Sequence, residues 1–390
     1  MTPVRPAGGN PPRFHGEADG GGRVYQSGRD QHVTENHFHL PAPPPTPATG
    51  GMGMGTVAGA DTDRRGFIQR VGGLAGALIT DGVSRSGSQI RIDPALIESL
   101  ATLRRSLVAS ERSLGPAQVL PLAEQQVAVL TSMRKQTGDR ALGRDILKLQ
   151  AAWMDFLGWL WQSRGDHETA GSYAEKSAML ATAAGDPELA GYFHARRSQL
   201  ATDGFDAHVG LGLAEHSVAG DPRPGRLQAF GHQQRAQAWA LLGDAREALN
   251  ALDMAQEMIH GPMEDRRDPL GVSASFMTDN YLRAQRAMIL FRVGSLEPAT
   301  EEMRSCLEVW DTGFHHEKGL FQAHLAHAYV LAGDCETSLA YGREALGNAL
   351  ETGSGRTLRA LGAVVVELYD KVRWSAEFEA FARRVEFACS

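Results

Sequence analysis

The chain has 390 residues, a formal net charge of −7 at pH 7 and three cysteines, Cys306, Cys335 and Cys389. An acidic balance without a basic stripe argues against a direct nucleic-acid binder, because phosphate neutralisation needs clustered Lys and Arg. Three scattered cysteines give neither a disulfide framework nor a zinc site. No apolar run reaches the roughly 18 residues of a membrane span, so the expectation is a cytoplasmic protein with no membrane partner, no cofactor and no bound metal.

Residues 1–62 read as a Gly/Pro-rich, mostly disordered arm. The first 60 residues hold 9 of the 18 prolines and 12 of the 44 glycines, too few aliphatic groups to offset the entropy of ordering. Within the arm, residues 22–40 lack proline and are rich in β-formers, which predicts a β segment. Its His32, His37 and His39 lack a carboxylate or thiol to complete a shell and read as surface histidines. Residues 63–92 read as a short helix and linker. Their Arg64-Arg65 pair, followed by Gly66, Phe67, Ile68 and small apolar residues, imitates a twin-arginine export signal, but far from the N-terminus and without a small-residue cleavage site.

From Asp93-Pro94, a helix cap followed by proline at the first helical position, apolar residues recur at i, i+3, i+4 and i+7 to the end of the chain. Helices are expected near 94–110, 116–135, 140–163, 167–184, 187–202, 206–219, 224–241, 245–259, 273–292, 296–312, 316–331, 335–351, 355–371 and 375–388. That makes about seven hairpins over residues 93–390. Gly165, Gly204 and Gly243 lie on a 39-residue grid, and Gly294 and Gly333 continue it after one insertion of 12 residues, placed at 260–271. Such a period signals hairpins that bury their apolar faces only by stacking. The expected class is all-α.

Counting from the turn glycines, Leu157, Gly158, Trp161, Ala170 and Ala174 fall where tetratricopeptide (TPR) repeats carry Leu, Gly, an aromatic and two small residues. Ala236, Trp239, Ala248 and Ala255 follow, then Ala287, Leu290, Ala299 and Cys306, and then Leu325, Ala326, Tyr329 and Ala345. The chain resembles a TPR array, which implies a right-handed superhelix. From about Asp63 it is also similar to the C-terminal portion of actinobacterial XRE-type regulators, on the stretches Asp63–Ile68, Trp153–Leu160, Gly319–Ala326 and Glu344–Arg359. Those proteins join a helix-turn-helix to a TPR array, and residues 1–62 show no helix-turn-helix pattern. Val24–Val33 is similar to the glycine-centred motifs that actinobacterial signalling proteins use for amyloid-type contacts, which implies self-association through the arm.

In a TPR superhelix the first helix of each hairpin lines the concave groove. Counted from the glycines, the groove candidates are Asp155, Trp159, Gln162, His194, Ser198, Gln233, Gln237, Tyr281, Met288, Arg292 and His327; Phe230 and Phe291 share that register but suit inter-repeat core. Amide, aromatic and imidazole groups fit an extended peptide. His315, His316, His324 and His327 lie within one repeat helix and its approach, and read as packing groups rather than ligands. With no phosphate loop and no Gly-x-Ser-x-Gly, the expected protein is not an enzyme. It is a TPR adaptor or sensor binding a peptide or protein segment in regulation or signalling. The XRE resemblance adds the alternative of a regulator lacking its own helix-turn-helix and acting through a DNA-binding partner. The arginine pair adds that of an exported binding protein.

Overall fold

The computed structural model describes residues 83–86, 89–219, 225–260, 276–310, 315–372 and 375–389, all within the unit Val57–Ser390. The expectations for the arm and its β segment, for a helix after Asp63 and for most of the 260–271 insertion fall outside the described residues. Where the sequence suggests linker, Val83–Ser86 (β1) and Gln89–Ile92 (β2) pair antiparallel, with Val83 opposite Ile92 and Ser86 opposite Gln89. β-branched residues at 83, 90 and 92 favour that pairing.

Fourteen helices follow among the described residues. They are α1 (Pro94–Leu114), α2 (Pro116–Gln136), α3 (Arg140–Ser163), α4 (His167–Ala184), α5 (Pro187–Asp203), α6 (Ala207–Ala219) and α7 (Arg226–Leu241). The second half comprises α8 (Ala245–His260), α9 (Asp279–Arg292), α10 (Leu296–Glu308), α11 (His315–Leu331), α12 (Cys335–Thr352), α13 (Gly355–Val372) and α14 (Ala376–Cys389). Each odd-numbered helix pairs with its successor, the expected seven hairpins, and the fold is a TPR-like helical repeat.

Four of the described hairpins share one device: a left-handed residue ends the first helix and an aspartate side chain caps the second. In the α9–α10 hairpin Gly294 keeps the turn and Ser295 makes no side-chain cap bond. Gly165, Gly243, Gly294 and Gly333 have φ between 81° and 91°. The amide after each reaches back to the carbonyl five residues earlier, as in Asp166 N–H to Trp161 O at 3.0 Å and Asp334 N–H to Tyr329 O at 2.9 Å. This is a Schellman stop. Asp166, Asp244 and Asp334 then accept from the backbone amides of Thr169, Glu247 and Thr337, caps worth about 1 kcal/mol each.

The third hairpin corrects the glycine grid. Gly204 has φ −87°, and the left-handed residue is Phe205 at φ 62°. Phe205 N–H bonds Thr202 O, Asp206 N–H bonds Ala201 O at 2.9 Å, and Asp206 caps α6 through Val209 N–H. The repeat origin here is therefore Phe205, one residue later than the grid placed it. On a helix of 3.6 residues per turn that slip rotates every assigned position by about 100°.

Three apolar clusters run along the stack. Leu100, Leu107, Leu130, Ile146 and Trp153 build the first, and Phe193, Phe230, Leu252, Leu282 and Phe321 the second. Val330, Leu361, Leu368 and Phe381 build the last. Close approach within a hairpin depends on small residues: a Cβ on Gly158 would lie 3.3 Å from Ala170 O, and Ala170 and Ala174 are buried. This is the packing the TPR resemblance implies.

The stack curls until its end meets its start. α13 packs on α3, and α11 and α12 touch α1. Arg359 Nη2 donates to Gly165 O at 3.0 Å and Nη1 lies against His167 Nε2. Arg356 pairs with Asp203 at 3.4 Å. At the seam Gly115 and Gly353 leave room for Thr352 O and Pro116 respectively.

Candidate functional site

Counting from the left-handed residues at 165, 205, 243, 294 and 333 brings five helices into one register. The residues nine before each are Phe156, Arg196, Gln234, Gln285 and His324, and all five line one cavity of about 200 Å³. Six before, Trp159, Gln199, Gln237 and Met288 line it too; thirteen before, Tyr192, Tyr281 and Leu320; two before, Asp203 and Arg292. Offsets of 13, 9, 6 and 2 trace one face of an α-helix. Arg104, Val108 and Glu111 of α1 and Arg356 of α13 complete the wall, so the seam forms part of the site.

Of the sequence candidates, Asp155, Trp159, Gln233, Gln237, Tyr281, Met288 and Arg292 line this cavity. The structure places the other four elsewhere. Ser198 is buried and donates to Gly210 O at 2.7 Å, inside its own hairpin. His194 packs edge-on against His216, rings 4.9 Å apart. Ser198 results from the Gly204 origin, and the Phe205 origin gives Gln199 instead; for His194 the same shift gives Ala195, and it is Arg196, one residue further on, that lines the cavity. Gln162 lies behind the wall, donating to Asp203 Oδ2 at 2.7 Å and accepting from Arg196 Nη2 at 3.0 Å. His327 packs at a tilt against Phe291, rings 5.2 Å apart. Phe230 is core, 1% exposed and against Phe276.

One wall of the cavity is an ion network crossing the seam. Asp155 accepts from Arg196 Nε at 3.0 Å and from the Tyr192 hydroxyl at 3.3 Å, with Arg104 Nη2 at 3.9 Å. Arg104 Nε also donates to Ala152 O at 2.8 Å. From Arg196 the chain of contacts continues through Gln162 to Asp203 and on to Arg356. Burial, then the Asp155 carboxylate, push the Tyr192 hydroxyl well above its ordinary pKa. Burial opposes the Arg196 charge, but Asp155 and Tyr192 more than offset it and the guanidinium titrates above its usual range. Trp159 contacts both cations, with Arg196 Cζ at 5.3 Å and Arg356 Cζ at 5.7 Å from its ring, two cation–π contacts on one indole.

The opposite wall is an amide cluster. Gln285 Oε1 accepts from Gln233 Nε2 at 2.9 Å and from Gln237 Nε2 at 2.7 Å, while Gln234 Nε2 donates to Gln233 Oε1 at 2.5 Å. α7 and α9 are thereby tied together along this wall. Aromatic edges close its floor: Phe276 meets Tyr281 at 5.4 Å, and Tyr281 meets Phe321 at 6.1 Å.

Arg292, the last residue of α9, differs from the other cations. Its Nη1 is buried and has no hydrogen-bond partner among the described residues. Burial lowers its pKa, opposed by Asp203. Beside it, His324 is held down to about 3 by burial and then by the Arg292 charge, so it stays neutral. His316, behind Trp159 at 5.9 Å, is 4% exposed, and burial then Arg356 hold it down to about 4. The described residues contain no group of three His, Cys, Asp or Glu able to hold a metal, and no helix long and apolar enough to cross a membrane.

No family model and no curated protein matches the chain. Among solved structures, the Rap protein complexed with Competence and Sporulation Factor is similar at TM-score 0.52 and 11% identity, over 84% of this chain and 96% of that one. NprR in complex with its cognate peptide NprX gives 0.49 and 13%, over 75% and 78%. TTC0263, a thermophilic TPR protein in Thermus thermophilus, gives 0.38 and 18%, over 54% and 97%. At these identities the likeness is one of fold.

Proposed function

We propose that this TPR-like protein is a non-enzymatic receptor, acting in regulation or signalling, that binds a peptide or an extended protein segment in the central cavity. The observation that carries this reading is the helical register itself. Five successive hairpins turn the same face inward, and that face bears amides, guanidinium groups and aromatic rings instead of the aliphatic core a structural stack would place there. Backbone amides of an extended chain need donors and acceptors at short spacing, which Gln233, Gln234, Gln237 and Gln285 supply from two helices. Aromatic walls take its side chains. A space of about 200 Å³ is small for a ligand pocket, which suits a chain end or a short extended run rather than a folded partner. The Rap structure, which shares the fold, was solved with its Competence and Sporulation Factor.

The test is direct. A randomised pentapeptide pool is incubated with the wild type and with a Gln237→Ala/Gln285→Ala variant, and bound peptides are identified by mass spectrometry after gel filtration. The wild type is expected to retain a defined subset, and the variant to lose it at least tenfold while melting cooperatively. Equal retention by both proteins refutes the amide assignment. No retention by the wild type refutes the peptide reading.

A further inference from the structure

The geometry points to Arg292 as the seat of a ligand carboxylate, an inference that rests on the peptide reading of the cavity and names the group the peptide must carry. The cavity wall contains four arginines, and three of them already face carboxylates. Arg104 and Arg196 share Asp155, and Arg356 holds Asp203. Arg292 alone among them has no ion pair among the described residues, and its inner Nη1 is buried without a hydrogen bond. Asp203, the acid whose charge reaches it, is engaged twice over, by Gln162 at 2.7 Å and by Arg356 at 3.4 Å.

A guanidinium nitrogen buried without a partner is costly, and because Arg292 stands in the cavity wall an entering ligand would supply the counter-charge that the wall does not. Guanidinium is matched in shape to a carboxylate, which accepts two parallel N–H bonds. His324 on the facing helix is neutral and imposes no second charge, and Met288, one turn earlier on α9, contributes an apolar flank. Arg292 also sits two residues before the turn, at the end of the inward-facing stripe, with Gln285 of the amide cluster about two turns earlier on the same helix. An incoming peptide would then place its carboxylate on Arg292 and its backbone along the amides. The carboxylate has two sources, the C-terminus of the peptide or an Asp or Glu side chain.

Three pentapeptide pools separate the cases: free-acid peptides without Asp or Glu, C-terminal amides containing Asp and Glu, and C-terminal amides without them. Each is offered to the wild type, to Arg292→Gln and to Arg292→Lys. The expected result is retention of the first pool if the terminus is read, or the second if a side chain is, with the third held at least tenfold less. Arg292→Gln should erase the preference, and Arg292→Lys should keep part of it. Equal retention of the third pool overturns the carboxylate seat and leaves the peptide reading standing. A second readout is independent of peptides. Sodium glutarate, compared with sodium chloride at equal ionic strength, should raise the melting temperature of the wild type and not of Arg292→Gln. A glutarate shift without retention of any pool keeps the seat and removes the peptide reading; the absence of both overturns both. Arg292→Gln should also melt no lower than the wild type without ligand, whereas a clear drop would show a partner for Arg292 within the protein and sink the proposal.

Discussion

Replacing Gly355 with alanine should part the seam that joins the end of the array to its start. An added Cβ would lie 2.5 Å from the carbonyl carbon of Arg164 and 2.9 Å from Gly165 N, and closer still to the Arg164 carbonyl oxygen. Non-bonded carbons rest about 3.5–4.0 Å apart, so the start of α13 must retreat by about 1 Å. The Arg359 bond to Gly165 O, now 3.0 Å, would stretch to about 4 Å, beyond hydrogen-bond range. Losing it costs about 1–3 kcal/mol, and residual overpacking adds about 1–3 kcal/mol. A loss of about 3 kcal/mol from the seam corresponds to roughly a hundredfold faster opening. Hydrogen exchange followed by mass spectrometry reads this locally, in peptides covering 162–168 and 353–360. Gly362→Ala is the control in the same helix: its Cβ would meet nothing within 4 Å, and the substitution should stabilise α13 by about 0.5–1 kcal/mol. If Gly355→Ala exchanges as slowly as the wild type at the seam, or if Gly362→Ala loosens it equally, the steric argument is wrong.

Two further substitutions test the turn and the buried imidazoles. Phe205 is 79% exposed and occupies a left-handed position at φ 62°, so Phe205→Gly should raise stability by about 1 kcal/mol; an unchanged or lower urea midpoint would refute the strain. His316 is held down to about 4 in the fold against 6.5 in the unfolded chain, so between those values the unfolded state binds the extra proton. Stability from this group is therefore complete above pH 6.5 and falls as the pH drops toward 4, by about 1.4 kcal/mol per pH unit. His316→Phe should preserve the ring contact with Trp159 and flatten that fall, measured as urea midpoints of both proteins at pH 7 and pH 5. Parallel pH dependences would refute the assignment.

The helices were legible in the sequence because their boundaries are chemical: Gly followed by Asp stops one helix and caps the next, and the apolar period fills the space between. The inward-facing stripe was only partly legible. Aligning on glycine misassigned the third hairpin, where Phe205 takes the left-handed turn and Gly204 does not. Aligning on the cap position, Asp166, Asp206, Asp244, Ser295 and Asp334, shifts the third hairpin by one residue and finds Gln199, whereas Arg196 and Gln285 lie one residue past the offset that gave Asp155 and Gln233. Glu111, Arg104 and Arg356 carry no such signal. They reach the cavity because the array curves enough to bring α1 and α13 together, a long-range property that no local pattern encodes. The unpaired state of Arg292 is equally invisible in the sequence, since it depends on where Asp203 is already committed.

The contact of α13 with α3 and of α12 with α1 also constrains how such a chain can evolve. An open solenoid grows or shrinks by whole repeats, because each unit answers only to its neighbours. Here the first unit answers to the sixth as well, and the second to the seventh. Duplicating a hairpin between α3 and α13 would push Arg356 away from Asp203 and Gly355 away from Arg164, leaving the cavity without one side. Variation in this architecture is therefore confined to side chains and loops, with the seven hairpins of the described residues held in number.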